Sequence, residues 1–460
     1  MIIKGGMIIN YNQRFIGDIR IEDGKITNIE KELVPKKGEK IEDVDNCYVL
    51  PGGVDTHTHF DMQAENCRTS DDFYTGTKAA IAGGTTTIID FAEPDTEESL
   101  QTGLDMWHQK ADGKAFCDYG FHMTISRWDD TMKEQMQSMV DQGITSFKAY
   151  TAYKDSIGVE DDELQQIMKA VGDVGGLLCV HCEDGERLEQ LQQILKKENA
   201  KDIRNHPLSR PNIVEECAIR KVIKMAEQSN TPVYIVHIST KEGVTEVKKA
   251  KEQGCMVYGE TCPHYLLMDE SRYDLPGFES AKYVMSPPLR KEQDQRALWS
   301  GIRNQWIDTI TTDHCSFSYQ GQKDLGRNDF TKIPNGIPSV EQRLELMYHF
   351  GEENQVTMED MVNMVSTNPA KIFGLFPKKG IIAVGSDADI VILKKVNKHK
   401  ISADKQYQQV DYTPYEGVSV TKKIQSVYLR GVKIVEQGSF QEENPRGRFL
   451  YRKPKEKEGE

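Results

Sequence analysis

Apolar and polar residues alternate near the start of the chain. Asp18-Ile19-Arg20-Ile21 and Lys25-Ile26-Thr27-Asn28-Ile29 flank Glu22-Asp23-Gly24, and Asp-Gly between two alternating runs signals a hairpin. The far end has the same pattern. Ala388-Asp389-Ile390-Val391-Ile392-Leu393 predicts one strand. Val427-Tyr428-Leu429-Arg430 and Val432-Lys433-Ile434-Val435, split by Gly431, predict two more. Two β-rich ends around a different middle predict one small β domain, residues 1–50 with 378–440.

The middle, residues 51–377, alternates strands with helical patterns. Expected strands are Val54–His59, Thr85–Ile89, Gly120–Ser126, Ser146–Tyr150, Leu177–His181, Tyr234–Ile238, Met256–Glu260 and Thr309–Asp313. Expected helices include Asp161–Val171, Val214–Glu227 and Gly243–Gln253. Eight such units in about 320 residues fit an α/β fold, a (β/α)₈ barrel with insertions. An open doubly wound sheet is the competing arrangement. It lacks support, since no Gly-x-Gly-x-x-Gly follows the first strands. The charged tail, 441–460, is expected to be an extended arm. Its Arg452, Lys453, Lys455 and Lys457, interleaved with Glu456 and Glu458, read as solvated.

Composition narrows the function classes. Of 460 residues, 58 are Lys or Arg and 72 Asp or Glu, a net charge of −14. That balance excludes a general nucleic-acid or anionic-membrane binder, which needs a basic face. No apolar run approaches the roughly 18 residues that span a bilayer. The N-terminus turns polar at Lys4 and shows no signal-peptide core. Nine cysteines, an odd and scattered set, fit free thiols in a reducing cytoplasm.

The chemically informative residues fall at strand ends. His57 and His59 close the first barrel strand and, by alternation, face the same side, where two imidazoles can grip one metal ion. His181 ends the fifth strand, His237 the sixth and Asp313 the eighth, while Lys148 lies in the fourth. In a barrel these ends converge on one mouth. Imidazole and carboxylate ligands suit Zn²⁺, with Mn²⁺ or Co²⁺ as substitutes. An ammonium at Lys148 beside such cations is untenable. Burial and positive neighbours lower its pKa, and the free amine can add CO₂ to become a carbamate that bridges two metals. The alternative is a lysine whose amine reaches the surface. Cys179-x-x-Cys182 is a single pair, better read as packing than as a redox or zinc motif. His108, His122, His206, His349 and His399 read as surface or packing residues. His264 and His314 lie nearer the mouth, His314 facing away from Asp313.

Pro51-Gly52-Gly53-Val54-Asp55-Thr56-His57-Thr58-His59 resembles the metal-binding signature of cyclic amidohydrolases, specifically the dihydropyrimidinase and D-hydantoinase branch. Thr69–Thr77, Gly83–Asp90, Glu260-Thr261-Cys262-Pro263, Val284–Arg290, Lys332–Gly336, Gly385–Val391 and Gly447-Arg448-Phe449-Leu450 fit that branch too. The resemblance implies a TIM barrel with a β-sandwich built from both termini, and a two-metal site, usually zinc. His57 and His59 would bind the more buried ion with Asp313, and His181 and His237 the more exposed one. Carboxylated Lys148 would bridge them. Substrate contacts map onto Tyr153, Ser286 and Asn335.

The implied reaction opens a cyclic amide or imide ring to an N-carbamoyl amino acid. A metal-bridging hydroxide attacks, Asp313 shuttles the proton, and Tyr153 stabilises the oxyanion. A homotetramer and D selectivity are expected from the same resemblance. Allantoinase and dihydroorotase share this logic. Dihydroorotases carry a basic residue near the first motif, where this chain has Phe60-Asp61-Met62, with Arg68 further on. Scaffold relatives of the branch have lost metal ligands, and all six are retained here. The loop Gln63-Ala64-Glu65-Asn66-Cys67-Arg68 and Pro338-Ser339 depart from the hydantoinase pattern, which leaves the ring substituent open.

Overall fold

The computed structural model describes residues 1–64 and 67–454. Glu65, Asn66, Lys455, Glu456, Lys457 and Glu458 lie outside the described residues. Five strands open the chain: β1 (Ile2–Asn10), β2 (Gln13–Glu22), β3 (Lys25–Glu30), β4 (Ile41–Asp43) and β5 (Cys47–Pro51). Asp23 and Gly24 both take positive φ, 49° and 78°, as a two-residue hairpin turn requires. The barrel strands follow: β6 (Gly53–Thr58), β7 (Thr85–Ala92), β8 (Asp118–Thr124), β9 (Ser146–Tyr150), β10 (Leu177–His181), β11 (Val233–Ile235), β12 (Val257–Thr261) and β13 (Thr309–Ile310). The last four are β14 (Ile390–Lys400), β15 (Ser419–Leu429), β16 (Val432–Glu436) and β17 (Ser439–Phe440).

The termini do meet. β5 pairs with β14, so one nine-stranded mixed sheet runs β17-β16-β15-β14-β5-β1-β2-β3, with β4 beside β1. Its own core gathers Ile3, Ile8, Ile19, Val49, Ile390 and Ile392. Lys379 ties it to the barrel. Its amine reaches Asp118 and Asp389 at 2.6 Å and Asp387 at 2.9 Å, a buried cation surrounded by carboxylates.

The eight middle strands run in sequence order, all pairs parallel. The ends of this sheet close at β6 and β13. His59 N–H donates to the carbonyl of His314 at 2.9 Å, and Arg343 reaches the carbonyls of Val54 and Ile310 at 3.0 Å each. β7 is buried at every position, as expected for a strand covered on both faces. The helices supply that cover. Asp161–Asp173 buries Leu164, Ile167, Met168 and Val171, a stripe at i, i+3, i+4 and i+7, and a capping box between Glu160 and Glu163 starts it.

Four expected strands end early: β6 at Thr58 and β8 at Thr124, besides β11 and β13. β11 stops at Ile235 and β13 at Ile310, because His237 (φ 38°) and Asp313 (φ 46°) turn the chain out of the ladder. The tail departs from the expectation further. Arg452 is not solvated: it is 1% exposed, donates to Ser146 Oγ at 2.8 Å and also bonds the carbonyl of Phe121. Phe449 bridges to Tyr119, and Leu450 is buried. The segment crosses the N-terminal end of β8 and β9, where a long cationic side chain finds acceptors and fills the barrel floor.

Candidate active site

Five of the six expected ligand residues, His57, His59, His181, His237 and Asp313, lie at or just past the opposite, C-terminal ends of the barrel strands, where barrel active sites form, and Lys148 is the central residue of β9. Alternation puts His57 of β6 and His59, just past its end, on one side: His57 Nε2 lies 3.0 Å and His59 Nε2 3.3 Å from Asp313 Oδ1. His181 Nδ1 and His237 Nε2 face each other at 2.9 Å. The ligand atoms of His57, His237 and Asp313 all lie within 4.8 Å of one another.

Carboxylates fix two of the imidazoles, those of His57 and His181, from behind. Glu260, near the end of β12, accepts from His57 Nδ1 at 2.6 Å and from the His237 backbone N–H at 2.9 Å. Glu183 accepts from His181 Nε2 at 2.8 Å, which leaves Nδ1 as the lone pair facing the mouth. Glu183 in turn pairs with buried Arg210. Burial alone would raise the Glu183 pKa, but Arg210 and His181 hold it down at about 2. This is the carboxylate–histidine pattern that orients metal ligands. The donor set, imidazole nitrogens plus a carboxylate oxygen with the outer nitrogens of His57 and His181 already engaged, fits a divalent cation.

The electrostatics agree. Burial opposes charge on His57, yet Glu260 and Asp313 raise its pKa to about 9, so a positive charge is favoured there. Burial also works against an ionised Asp313, but His57 and His59 hold its pKa well below the usual carboxylate range. His237 and His181 are depressed by burial, so both sit neutral with lone pairs available.

Lys148 is 1% exposed in β9. Among the described residues its amine has no hydrogen-bond or ion-pair partner. It lies 4.8 Å from the Phe91 ring centre and 5.0 Å from that of Tyr150. Burial lowers its pKa, favouring the nucleophilic free amine. It does not reach the surface.

The expected substrate contacts sit beside this centre. The Tyr153 ring lies 5.5 Å from that of His181, and the Arg210 guanidinium 5.6 Å from Tyr153. Burial raises the Tyr153 pKa, against the pull of Arg210, so the hydroxyl keeps its proton as a donor. Tyr153 holds φ 63°, and with His237 and Asp313 it makes three left-handed residues at one mouth. Such backbone costs about 1–3 kcal/mol per residue and concentrates at working sites. Ser286 lies beside the Tyr153 hydroxyl, and Asn335 Oδ1 has no partner among the described residues. Gly336 permits the close approach next to Asn335, since a Cβ there would stand 2.5 Å from the carbonyl oxygen of Cys315.

The sequence reading missed Glu260, Glu183 and Arg210. Glu183 had a signal: it follows His181 by two residues, on the same side by alternation. Glu260 had one too, an acid at the one late barrel strand end without an assigned ligand. Arg210, in an irregular segment, had none. His314 faces away from the mouth, as expected. Its Nε2 lies 3.1 Å from Asp71, and Nδ1 accepts from the N–H groups of Ser339 and Val340. His122 is a buried packing residue bonded to Ser146 and Thr56. Cys179 and Cys182 are free and buried.

The chain is similar to known proteins over nearly its whole length. The amidohydrolase family pattern matches residues 48–434. A D-hydantoinase of Geobacillus stearothermophilus is 42% identical over 453 residues, covering 98% of this chain and 96% of that protein. A D-hydantoinase of Streptomyces coelicolor is 39% identical, covering 95% of each chain. The crystal structure of dihydropyrimidinase from Brevibacillus agri superposes with a TM-score of 0.97 at 39% identity, covering 98% of both chains. The chain therefore belongs to the amidohydrolase family, a metal-dependent family, in its D-hydantoinase and dihydropyrimidinase branch.

Proposed function

We propose that this protein hydrolyses the cyclic amide bond of hydantoins and dihydropyrimidines, releasing N-carbamoyl amino acids. The observation that carries the reading is the convergence of four imidazoles, Asp313 and an unpaired buried lysine at one barrel mouth, in a chain about 40% identical to proteins named D-hydantoinase. Those names support a preference for the D configuration.

His57, His59 and Asp313 would hold one divalent ion, and His181 and His237 a second. Zinc suits this donor set best, and manganese or cobalt can substitute. Bound there, the ions would bring water close to ionisation at neutral pH and polarise the ring carbonyl. Lys148 would link the two halves as a carbamate. Its nitrogen attacks the carbon of CO₂, one N–H proton leaves to solvent, and the resulting anion replaces an amine that has no partner.

The remaining steps belong to the chain's own side chains. Asp313 takes a proton from the attacking water and delivers it to the ring nitrogen as the C–N bond breaks. Its position beside His57 and His59 keeps it ionised and ready to accept. The Tyr153 hydroxyl donates to the carbonyl oxygen as negative charge develops, and one such donor is typically worth about 3–4 kcal/mol. Arg210 stands behind Tyr153 and favours that negative charge. The main-chain groups of Ser286 and Asn335 would orient the ring.

Among the described residues no helix is long and apolar enough to cross a membrane. Nine free cysteines support a reducing, cytoplasmic setting. A homotetramer is the proposed assembly.

A panel of dihydrouracil, hydantoin, 5-phenylhydantoin, allantoin and dihydroorotate on metal-replete protein tests the reading. Ring opening of the first three is expected. A clear preference for allantoin or dihydroorotate would move the chain to a sister branch.

A further inference from the structure

A buried cation that the reaction does not use lies behind the ring-orienting segments. Lys323 sits in a short turn, Lys323–Gly326, in the long connection after β13. It is 0% exposed. Its amine donates to the carbonyl of Val284 at 2.7 Å and to the carbonyl of Pro334 at 2.6 Å. Among the described residues no carboxylate pairs with it. Burial pushes its pKa down to about 7.

The two carbonyls come from separate stretches of chain. Val284 stands two residues before Ser286, and Pro334 immediately before Asn335. Among the described residues the stretches are joined directly by one hydrogen bond, from the Gly336 N–H to the Val284 carbonyl at 3.1 Å. The lysine adds a second tie, and among the described residues it is the one hydrogen-bond donor to the Pro334 carbonyl. Burying an ammonium among carbonyls costs free energy that an apolar side chain of similar length would avoid. What lysine offers instead is three donors on one atom, enough to hold two carbonyls at a set distance. Of the side chains hung from those stretches, Ser286 reaches the Tyr153 hydroxyl, and Asn335 Oδ1 is left without a partner among the described residues.

We propose that Lys323 is a positioning residue for substrate recognition, clamping the Val284–Ser286 and Pro334–Asn335 stretches at the separation from which their main-chain groups read a cyclic amide ring. A ring of this class alternates N–H donors with carbonyl acceptors, so both must be met at a fixed spacing, and small misplacements are costly. The inference rests on the proposed function, which makes these stretches the ring contacts.

Lys323→Met in the full, metal-replete chain is the test. KM for hydantoin is expected to rise about tenfold or more while kcat stays within about threefold and bound metal is unchanged. A purely structural lysine would lower thermal stability without this split between KM and kcat. Lys323→Gln keeps N–H donors on a shorter stem, is expected to raise KM less, and is read in the same way should the Met variant not fold. An unchanged KM, or a fall in kcat at constant KM, overturns the proposal. So does failure of both variants to fold, which would make the lysine a folding element. Wild-type protein inactive on hydantoin and dihydrouracil would overturn the functional reading itself, and the proposal with it, and the wild-type control reveals that case separately.

Discussion

His181 and His237, 56 residues apart in sequence, bring Nδ1 and Nε2 to 2.9 Å of each other at the barrel mouth. Each is neutral through burial, and Glu183 holds the outer nitrogen of His181. Two ring nitrogens this close, on strands β10 and the turn after β11, make a preformed pair for one electrophile. The pair turns the site from a set of strand-end residues into a centre with a defined charge requirement.

Glu260→Gln tests how far that centre depends on orientation from behind. The substitution weakens the acceptor for His57 Nδ1–H. Metal affinity is expected to fall about 10- to 100-fold, the usual effect of removing such a partner. Competitive titration with a chelator measures it. Unchanged affinity would mean that His57 needs no carboxylate to hold its ring.

Asp313→Asn separates binding from proton transfer. Turnover is expected to drop by at least about 10²-fold, the scale of a lost general acid–base group. KM for hydantoin should change far less. Steady-state kinetics at saturating metal decides it, and a near-normal rate would place the proton shuttle elsewhere.

Lys148→Ala should lose both activity and most bound metal. Wild-type protein stripped of metal and rebuilt in CO₂-depleted buffer is expected to regain activity slowly, and faster when bicarbonate is added. Equal recovery with and without bicarbonate would remove the carbamate from the account.

Lys323 gives a signed dependence of stability on pH. Its pKa falls from 10.5 unfolded to about 7 folded, through burial. The stability linked to it is therefore full above pH 10.5 and lost as pH falls through about 7. Relative to wild type, Lys323→Met should melt higher at pH 6.5 than at pH 9.5, a swing on the order of 3 kcal/mol. Thermal melts at the two values read it. A constant difference would show that the lysine is not depressed in the fold.

Much of this was legible in the sequence because barrels convert alternation into geometry. His57 and His59 share a face by period two, and strand-end positions share a mouth by topology, so six distant residues could be grouped before any coordinate. The Asp23-Gly24 hairpin was readable for the same local reason. What failed depends on packing between segments. Arg452 looks solvated by composition, yet acceptors at the barrel floor bury it. Lys323 and Arg210 sit in irregular connections, where no period says which way a side chain points. The early ends of β11 and β13 follow from left-handed backbone at His237 and Asp313, which residue type alone does not announce.

The central claim is a cage that holds two divalent ions with a modified lysine between them. Anomalous X-ray diffraction from crystals of the zinc-loaded protein measures it most directly. The account predicts two peaks per chain, one beside His57, His59 and Asp313 and one beside His181 and His237, with density continuing past Lys148 Nζ. One peak or none at this mouth, with a bare amine at Lys148, would contradict it.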